Sequence, residues 1–140
     1  MSLTLIRLLV DFGLVILIWM IQLMVYPSFL YFKNEELLKW HNIYTFRIAC
    51  LVIPLMFGQL FIYLYQVFEF QSTYHVFTAG IVILLWIITF WIFVPLHNDI
   101  LNNRYTRKTL EQLVHKNWER TGLWSVLFIL SLIEYLHTTN

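Results

Sequence analysis

The sequence predicts an all-α integral membrane protein: an up-down bundle of four helices forming one domain over residues 1–140. Composition is the first reason, because 60% of the residues are apolar and only 12% are charged, whereas a soluble domain carries about 25% charged residues. The second is that the apolar residues form four runs, each long enough for the roughly 20 residues that cross a bilayer. The third is that the most suggestive polar residues lie at only one end of each run. If the helices alternate in direction, those ends meet on one side of the membrane.

The predicted helices cover about residues 3–27, 35–70, 74–97 and 106–137. The first run is too long for a signal peptide and ends at Tyr26-Pro27, so we expect a retained helix that Pro27 kinks or ends. Asn34, followed by Glu35 and Glu36, is typical of a helix start, with an amide cap and acids at the positive end of the helix dipole.

A short amphipathic helix is expected at the cytoplasmic surface just before helix 4. Thr106 can cap it, and apolar residues then recur at helical spacing at Leu110, Leu113 and Val114. A soluble bundle is the alternative, but a chain of this size has too little interior to hide so many apolar residues.

Basic residues predict the orientation in the membrane. Segments 28–47 and 97–120 contain eight of the nine, and only Arg7 lies toward the other end of the bundle. Because short cytoplasmic loops are rich in Lys and Arg, both termini are expected on the non-cytoplasmic side. The membrane is expected to be a bacterial inner membrane. The net charge of +1 gives no indication of nucleic-acid binding, so the lipid bilayer is the expected surrounding partner.

The polar residues at the cytoplasmic end form a candidate site. One face at the start of helix 4 carries residues spaced three and four apart: Asn117, Arg120, Thr121 and Trp124. Helix 2 repeats this spacing at His41, Tyr44, Thr45 and Ile48, and Arg47 follows three residues after Tyr44. His97 and Asn98 close helix 3, and Tyr26 closes helix 1. Each helix therefore presents polar or aromatic groups near one depth.

Two arginines stand within apolar helical patterns, and ionisable residues inside a membrane mark functional sites by default. This favours a buried network over simple snorkelling for Arg47 and Arg120. For Trp118, anchoring at the interface is as good an interpretation as a place in the site. His115 lies four residues after Glu111 and is expected to form a solvated surface pair.

His41 and His97 are weak candidates for metal ligands, because each helix supplies one histidine without a second ligand at helical spacing. We therefore expect no cofactor, with haem b or a single metal ion as the alternative. Cys50 is the only cysteine and is interpreted as a small apolar residue.

A second, outer cluster is suggested by Asp11 within helix 1, with Arg7 one turn earlier, and by Glu134, His137 and His75. The favoured interpretation is a local pair between Arg7 and Asp11 together with separate interfacial side chains.

Three short segments carry a family resemblance: Val94-Pro95-Leu96-His97-Asn98, Asn117-Trp118-Glu119-Arg120-Thr121 and Tyr26-Pro27. They resemble the anthrone-oxygenase-like family of small four-helix membrane proteins. In that family the third helix ends in a Pro-x-Asn-Asn-like motif, and the fourth begins with an Arg/Asn-Trp pair and an arginine soon after. His97 departs from the pattern, because family members usually have Asn or another polar residue there. His41-x-x-Tyr44-Thr45-x-Arg47 looks more like a bacterial branch of uncharacterised members.

The resemblance implies an oxidoreductase that adds molecular oxygen to a lipophilic, activated aromatic carbon without a conventional cofactor. The residues expected to do the chemistry are His97 or His41 as the base, with Arg120 and Asn98 stabilising the developing oxygen anion. The residues expected around a lipophilic aromatic or quinone-like substrate are Tyr26, Tyr44, Arg47, Asn117, Trp118 and Trp124.

Two other functions compete with an enzyme. In one, the chain is a non-enzymatic subunit of a homo-oligomer or membrane complex, or a small-molecule binding protein, and the polar cluster holds the helices together. In the other, His41 and His97 ligate haem in an electron carrier, which a visible spectrum would reveal.

Overall fold

The structure, a computed structural model, describes residues 2–139. Four long helices follow one another along this part of the chain: α1 Leu3–Tyr31, α2 Asn34–Phe70, α3 Thr73–Leu101 and α4 Arg107–Thr139. Helix accounts for 93% of the structure, and the described residues contain no strand. The prediction of an all-helical chain with four long apolar helices is therefore confirmed.

Two helices run beyond their predicted ends. α1 passes Pro27 and finishes in a tight 3₁₀ turn at Phe29–Tyr31, and α3 passes Pro95 and continues to Leu101. Each proline stands at the start of a helical segment, where its missing N–H and fixed φ are tolerated. Neither proline ends its helix.

The predicted short amphipathic helix before helix 4 is not a separate element. α4 is one uninterrupted helix, Arg107–Thr139. It contains no proline, and Leu110 and Leu113 are buried on the same face as Arg120 and Trp124. One continuous face can pack against the other helices without a bend, so the amphipathic stretch forms the first turns of α4.

The distribution of side chains is the reverse of that in a water-soluble protein. Large apolar side chains cover the outside, including Trp91, Phe68 and Phe46 with exposed fractions of 81%, 76% and 74%. The buried polar residues are Arg7, Asp11, Gln22, His41, Gln59, Gln66, Thr78, Asn117, Arg120, Thr121 and Ser131. An apolar exterior around a polar interior suits a bundle surrounded by lipid, because lipid satisfies no hydrogen bond.

The apolar interior divides into two clusters stacked along the bundle. One includes Leu14, Leu85 and Leu127 around Trp124. The other gathers Tyr26, Phe29, Tyr44 and Phe93 with their neighbours. The polar groups of the candidate site lie in and beside this second, aromatic cluster.

Candidate functional site

A cavity of about 370 Å³ lies between α2 and α3 and reaches α1 and α4. Most of its wall is apolar, including Met56 and Phe57. The polar and aromatic residues predicted for the site that line it are Tyr26, Tyr44, His97, Asn98 and Arg120. Cavities of about 300–1,000 Å³ with apolar walls and a few polar groups are the usual form of small-molecule sites.

Two helices widen locally beside this cavity. α1 contains a π-helical turn at Ile21–Val25, and α3 contains another at Thr89–Phe93. Each turn comes just before a proline, Pro27 in α1 and Pro95 in α3. A proline ring clashes with the carbonyl four residues earlier, and a wider turn relieves that clash. Single π-helical turns are frequent at functional sites.

Tyr26, His97 and His41 form a continuous hydrogen-bonded chain. The Tyr26 hydroxyl lies 3.0 Å from His97 Nε2, and His97 Nδ1 lies 2.8 Å from His41 Nε2. The two imidazoles are stacked, with ring centroids 5.0 Å apart, and Phe29 packs edge-on against His41. His41 is fully buried, and its Nδ1 has no partner among the described residues.

Both ring nitrogens of His97 are therefore occupied. A neutral imidazole has one donor and one acceptor nitrogen, so the chain has two arrangements. In one, the Tyr26 hydroxyl donates to His97 Nε2 and His97 Nδ1–H donates to His41. In the other, His41 donates to His97, whose Nε2–H donates to the tyrosine oxygen. A shift between them moves protons along the chain.

Arg120 is a buried cation without a counter-ion among the described residues. Its exposed fraction is 5%, it has no carboxylate within ion-pair distance, and its Nε has no hydrogen-bond partner. The guanidinium carbon lies 4.2 Å from the centre of the Phe93 ring and 5.1 Å from that of Trp124. Two aromatic faces thus hold the charge at the cavity wall.

Comparison with known proteins gives no relative: no family model, no curated protein and no solved structure matches the chain.

The structure brings together most of the residues predicted for the site. Tyr26, Tyr44, His97, Asn98 and Arg120 line the cavity, with Asn98 exposed at its rim. Three other residues predicted for the site do not line the cavity. His41 lies behind His97, Trp124 lies under Arg120, and the Asn117 amide donates to Gln22 Oε1 at 3.0 Å.

Arg47 and Trp118 lie away from the cavity. Arg47 is exposed, so the expectation of a buried network position for it is wrong. Trp118 is 49% exposed and packs edge-on against Trp19 on the outside of the bundle. Trp118 therefore faces outward, which agrees with anchoring at the interface and not with a place in the site.

Sequence reasoning missed several interior residues. Gln22 joins Asn117, and Gln59 Oε1 accepts from Trp124 Nε1 at 3.2 Å. Thr89 also lines the cavity. The glutamines had a usable signal, because a single amide inside an apolar membrane helix needs a partner on another helix.

A second polar network lies near the opposite ends of the helices. The Arg7 guanidinium donates to Ser131 Oγ and Gln66 Oε1, both at 2.9 Å, and also to Glu134. His75 Nε2 lies 3.2 Å from the other oxygen of Glu134. The expected local pair between Arg7 and Asp11 is present at 3.8 Å. The expectation of separate interfacial side chains is wrong for Glu134 and His75, which join the same network. His137 is exposed and is not a hydrogen-bonding member of this network.

Asp11 connects this outer network to the cavity region. Its carboxylate accepts from Gln59 Nε2 at 2.6 Å, from the Tyr63 hydroxyl at 2.7 Å and from Ser131. Gln59 also accepts from Trp124, the ring beneath Arg120. Polar contacts thus extend from the outer network to the cavity wall.

Proposed function

We propose that the chain is an integral membrane protein whose four helices cross the bilayer in up-down order. The apolar exterior, the buried polar interior and four sufficiently long helices support this. Contacts at both ends agree with alternating directions: Tyr26 meets His97 near the ends of α1 and α3, and Arg7 meets Glu134 at the start of α1 and the end of α4. We propose a bacterial inner membrane, and the distribution of basic residues favours an orientation with both termini on the non-cytoplasmic side.

Cysteine accessibility tests this orientation. In a Cys50→Ser background, Asn103→Cys in the connection before α4 is expected to resist a membrane-impermeant maleimide on intact spheroplasts and to react after lysis. Thr139→Cys, at the other end of α4, serves as the matched control and should react without lysis. Labelling of Asn103→Cys on intact spheroplasts would mean that the protein has the opposite orientation.

For the site itself, we propose an oxygenase-like enzyme acting on a lipophilic aromatic or quinone-like molecule. One observation carries the proposal: the Tyr26–His97–His41 chain meets an apolar cavity beside the unpaired Arg120 cation. A base and a fixed positive charge beside an apolar chamber are what removal of a proton from an activated carbon requires.

The proton is passed along the chain to His41. The Tyr26 oxygen takes the proton from the substrate carbon as its own proton moves to His97 Nε2. His97 Nδ1–H passes its proton to His41 Nε2, and His41 becomes the imidazolium. The electron pair of the broken C–H bond stays on the substrate as an enolate-like anion beside Arg120.

Molecular oxygen is the proposed oxidant, as the family resemblance implies. A methylene carbon then becomes a carbonyl: the substrate loses two hydrogens and gains one oxygen atom, and the second oxygen atom leaves as water. The proposal includes no cofactor.

His41 and His97 do not form a ready metal site. Two metal–nitrogen bonds of about 2.0 Å each would hold the nitrogens about 3.3 Å apart in a tetrahedral site and about 4 Å apart on opposite sides of a haem iron. The facing nitrogens are 2.8 Å apart. The described residues contain no group of three His, Cys, Asp or Glu side chains suited to a metal. The haem alternative would require the two rings to separate, and a visible spectrum of the purified protein tests it.

Proton abstraction can be measured without oxygen. We expect the protein in nanodiscs to accelerate anaerobic deuterium exchange at the methylene carbon of anthrone, followed by NMR. Tyr26→Phe should slow that exchange by about 10²-fold, because it removes the hydroxyl that carries the proton.

His115→Ala is the matched control, since His115 is exposed and its Nδ1 bonds only to its own helix, at Glu111. The His115→Ala protein should accelerate deuterium exchange at the methylene carbon of anthrone as much as wild type does. Equal exchange rates with wild type, Tyr26→Phe and empty nanodiscs would contradict the enzyme proposal. The protein would then be a binding protein or a subunit, in which the polar residues of the site only hold a ligand or the helices together.

A further inference from the structure

Three buried polar atoms of cavity-lining side chains lack partners among the described residues, and each of them can donate a hydrogen bond. They are Trp86 Nε1, Thr89 Oγ1 and Arg120 Nε. Buried N–H and O–H groups are rarely left unpaired, because an unmade hydrogen bond in an apolar interior is costly. A ligand that fits this cavity therefore has to supply acceptors.

The donors lie toward two ends of the cavity. Trp86 and Thr89 are three residues apart on α3 and share one face. Phe93, which lies under the Arg120 guanidinium at 4.2 Å, is seven residues beyond Trp86. At about 1.5 Å rise per residue, this separates the two donor positions by roughly 10 Å along the helix.

The space between the two ends is walled by aromatic rings. Trp86 meets Phe57 edge-on with ring centroids 4.9 Å apart, and it stacks on Phe90 at 5.5 Å. The π-helical turn at Thr89–Phe93 lies between the two donor positions. A flat apolar body fits this wall, and hydrogen bonds of about 2.9 Å at each end would reach the donors.

We infer that Trp86 and Thr89 form a second recognition subsite, which binds an acceptor oxygen on the side of the ligand opposite the oxygen held by Arg120. This inference rests on the proposed function and deepens it, because it names the ligand class: a lipid-soluble aromatic molecule with acceptor oxygens at two opposed positions. Trp86 and Thr89 then determine specificity and take no part in proton transfer.

Three probes of nearly equal shape test the subsite: para-diacetylbenzene with two carbonyls, para-ethylacetophenone with one, and para-diethylbenzene with none. Binding is measured by equilibrium dialysis against the protein in nanodiscs, with empty nanodiscs subtracted. We expect wild type to bind the two-carbonyl probe about three- to tenfold more tightly than the one-carbonyl probe, the effect of one hydrogen bond.

Two substitutions locate that preference. Trp86→Phe keeps an aromatic ring without the N–H, and Thr89→Val keeps the shape without the hydroxyl. Each should reduce the preference for the second carbonyl and leave the affinity for para-ethylacetophenone unchanged. Trp91→Phe is the matched control, because Trp91 is on the same helix with its side chain 81% exposed, and it should keep the wild-type preference.

The outcomes separate the subsite from the proposed function. Wild-type binding of all three probes with equal affinity overturns the subsite and leaves the cavity as a general ligand site. An equal loss for all three probes in Trp86→Phe, with no effect of Thr89→Val, means that Trp86 only packs against the ligand and also overturns the subsite. Failure of wild type to bind any probe overturns both proposals.

Discussion

Arg7→Met is expected to lower the stability of the folded protein sharply. Arg7 is 1% exposed and donates to side chains on the three other helices, including Gln66, Tyr74 and Glu134. Its removal would leave the buried Asp11 carboxylate and the partly buried Glu134 carboxylate without their cation. Breaking a buried ion pair in this way typically costs about 3–5 kcal/mol.

Thermal unfolding in detergent measures the effect of that substitution. The apparent Tm of Arg7→Met should fall by about 10 °C or more. Arg107→Met is the matched control, because Arg107 is exposed and pairs only with Glu111 one turn away, so its Tm should stay near wild type. Adding Glu134→Gln to Arg7→Met should recover part of the loss by removing one unpaired charge. An unchanged Tm in Arg7→Met would mean that the outer network does not stabilise the fold.

Arg120→Met is expected to have the opposite profile: a large loss of activity without a loss of stability. Arg120 makes no ion pair with the described residues, and its Nε has no hydrogen-bond partner. A buried charge without a counter-ion costs desolvation energy. Methionine keeps much of the side-chain volume over Phe93 and Trp124. Its Tm should therefore equal or exceed that of wild type.

Activity should fall because the charge beside the substrate anion is lost. Removing one group that stabilises a developing oxygen anion typically costs about 10²–10³ in rate. The loss of rate is measured as oxygen uptake with anthrone, using nanodisc preparations of wild type and Arg120→Met. His115→Ala should match wild type in both measurements. A fall in the Tm of Arg120→Met as large as that of Arg7→Met would make Arg120 a structural residue.

The sequence could predict that four site residues lie close together, because alternating helix directions bring their helix ends to one side. These residues are Tyr26, His41, His97 and Arg120. Helices that alternate in direction bring the end of one beside the start of the next, so polar groups at those ends converge. The hydrogen bonds between these side chains could not be predicted. Which ring nitrogen pairs with which depends on side-chain angles, and the π-helical turns that widen α1 and α3 change those angles locally.

Arg47 shows where helical spacing is too coarse a guide. The buried positions around it on α2 are Leu37, His41 and Tyr44, spaced four and three apart. The next step of that pattern is four residues, which leads to Ile48 on the cavity wall and leaves Arg47 beside the buried face. A single-residue difference thus separates an interior position from an exterior one.

The sequence suggests the outer cluster but favours a local pair, because Arg7 and Asp11 lie one turn apart on the same helix. Their separation in the structure is 3.8 Å, yet their shorter hydrogen bonds reach other helices. Gln59, Tyr63 and Gln66 share one face of α2 at spacings of four and three, and that pattern was visible in the sequence. It indicated a polar stripe inside an apolar helix, whose partners had to be on neighbouring helices.

The central claim is that the cavity binds a lipophilic molecule at Arg120 within the membrane. Mass spectrometry of small molecules retained through purification tests it most directly, with wild type and Arg120→Met prepared side by side in the same detergent. A lipid-soluble aromatic compound retained near stoichiometrically by wild type and lost from Arg120→Met is the predicted result. Identical extracts from both proteins, containing only bulk membrane lipid and detergent, would contradict the claim and leave the polar cluster with a structural role.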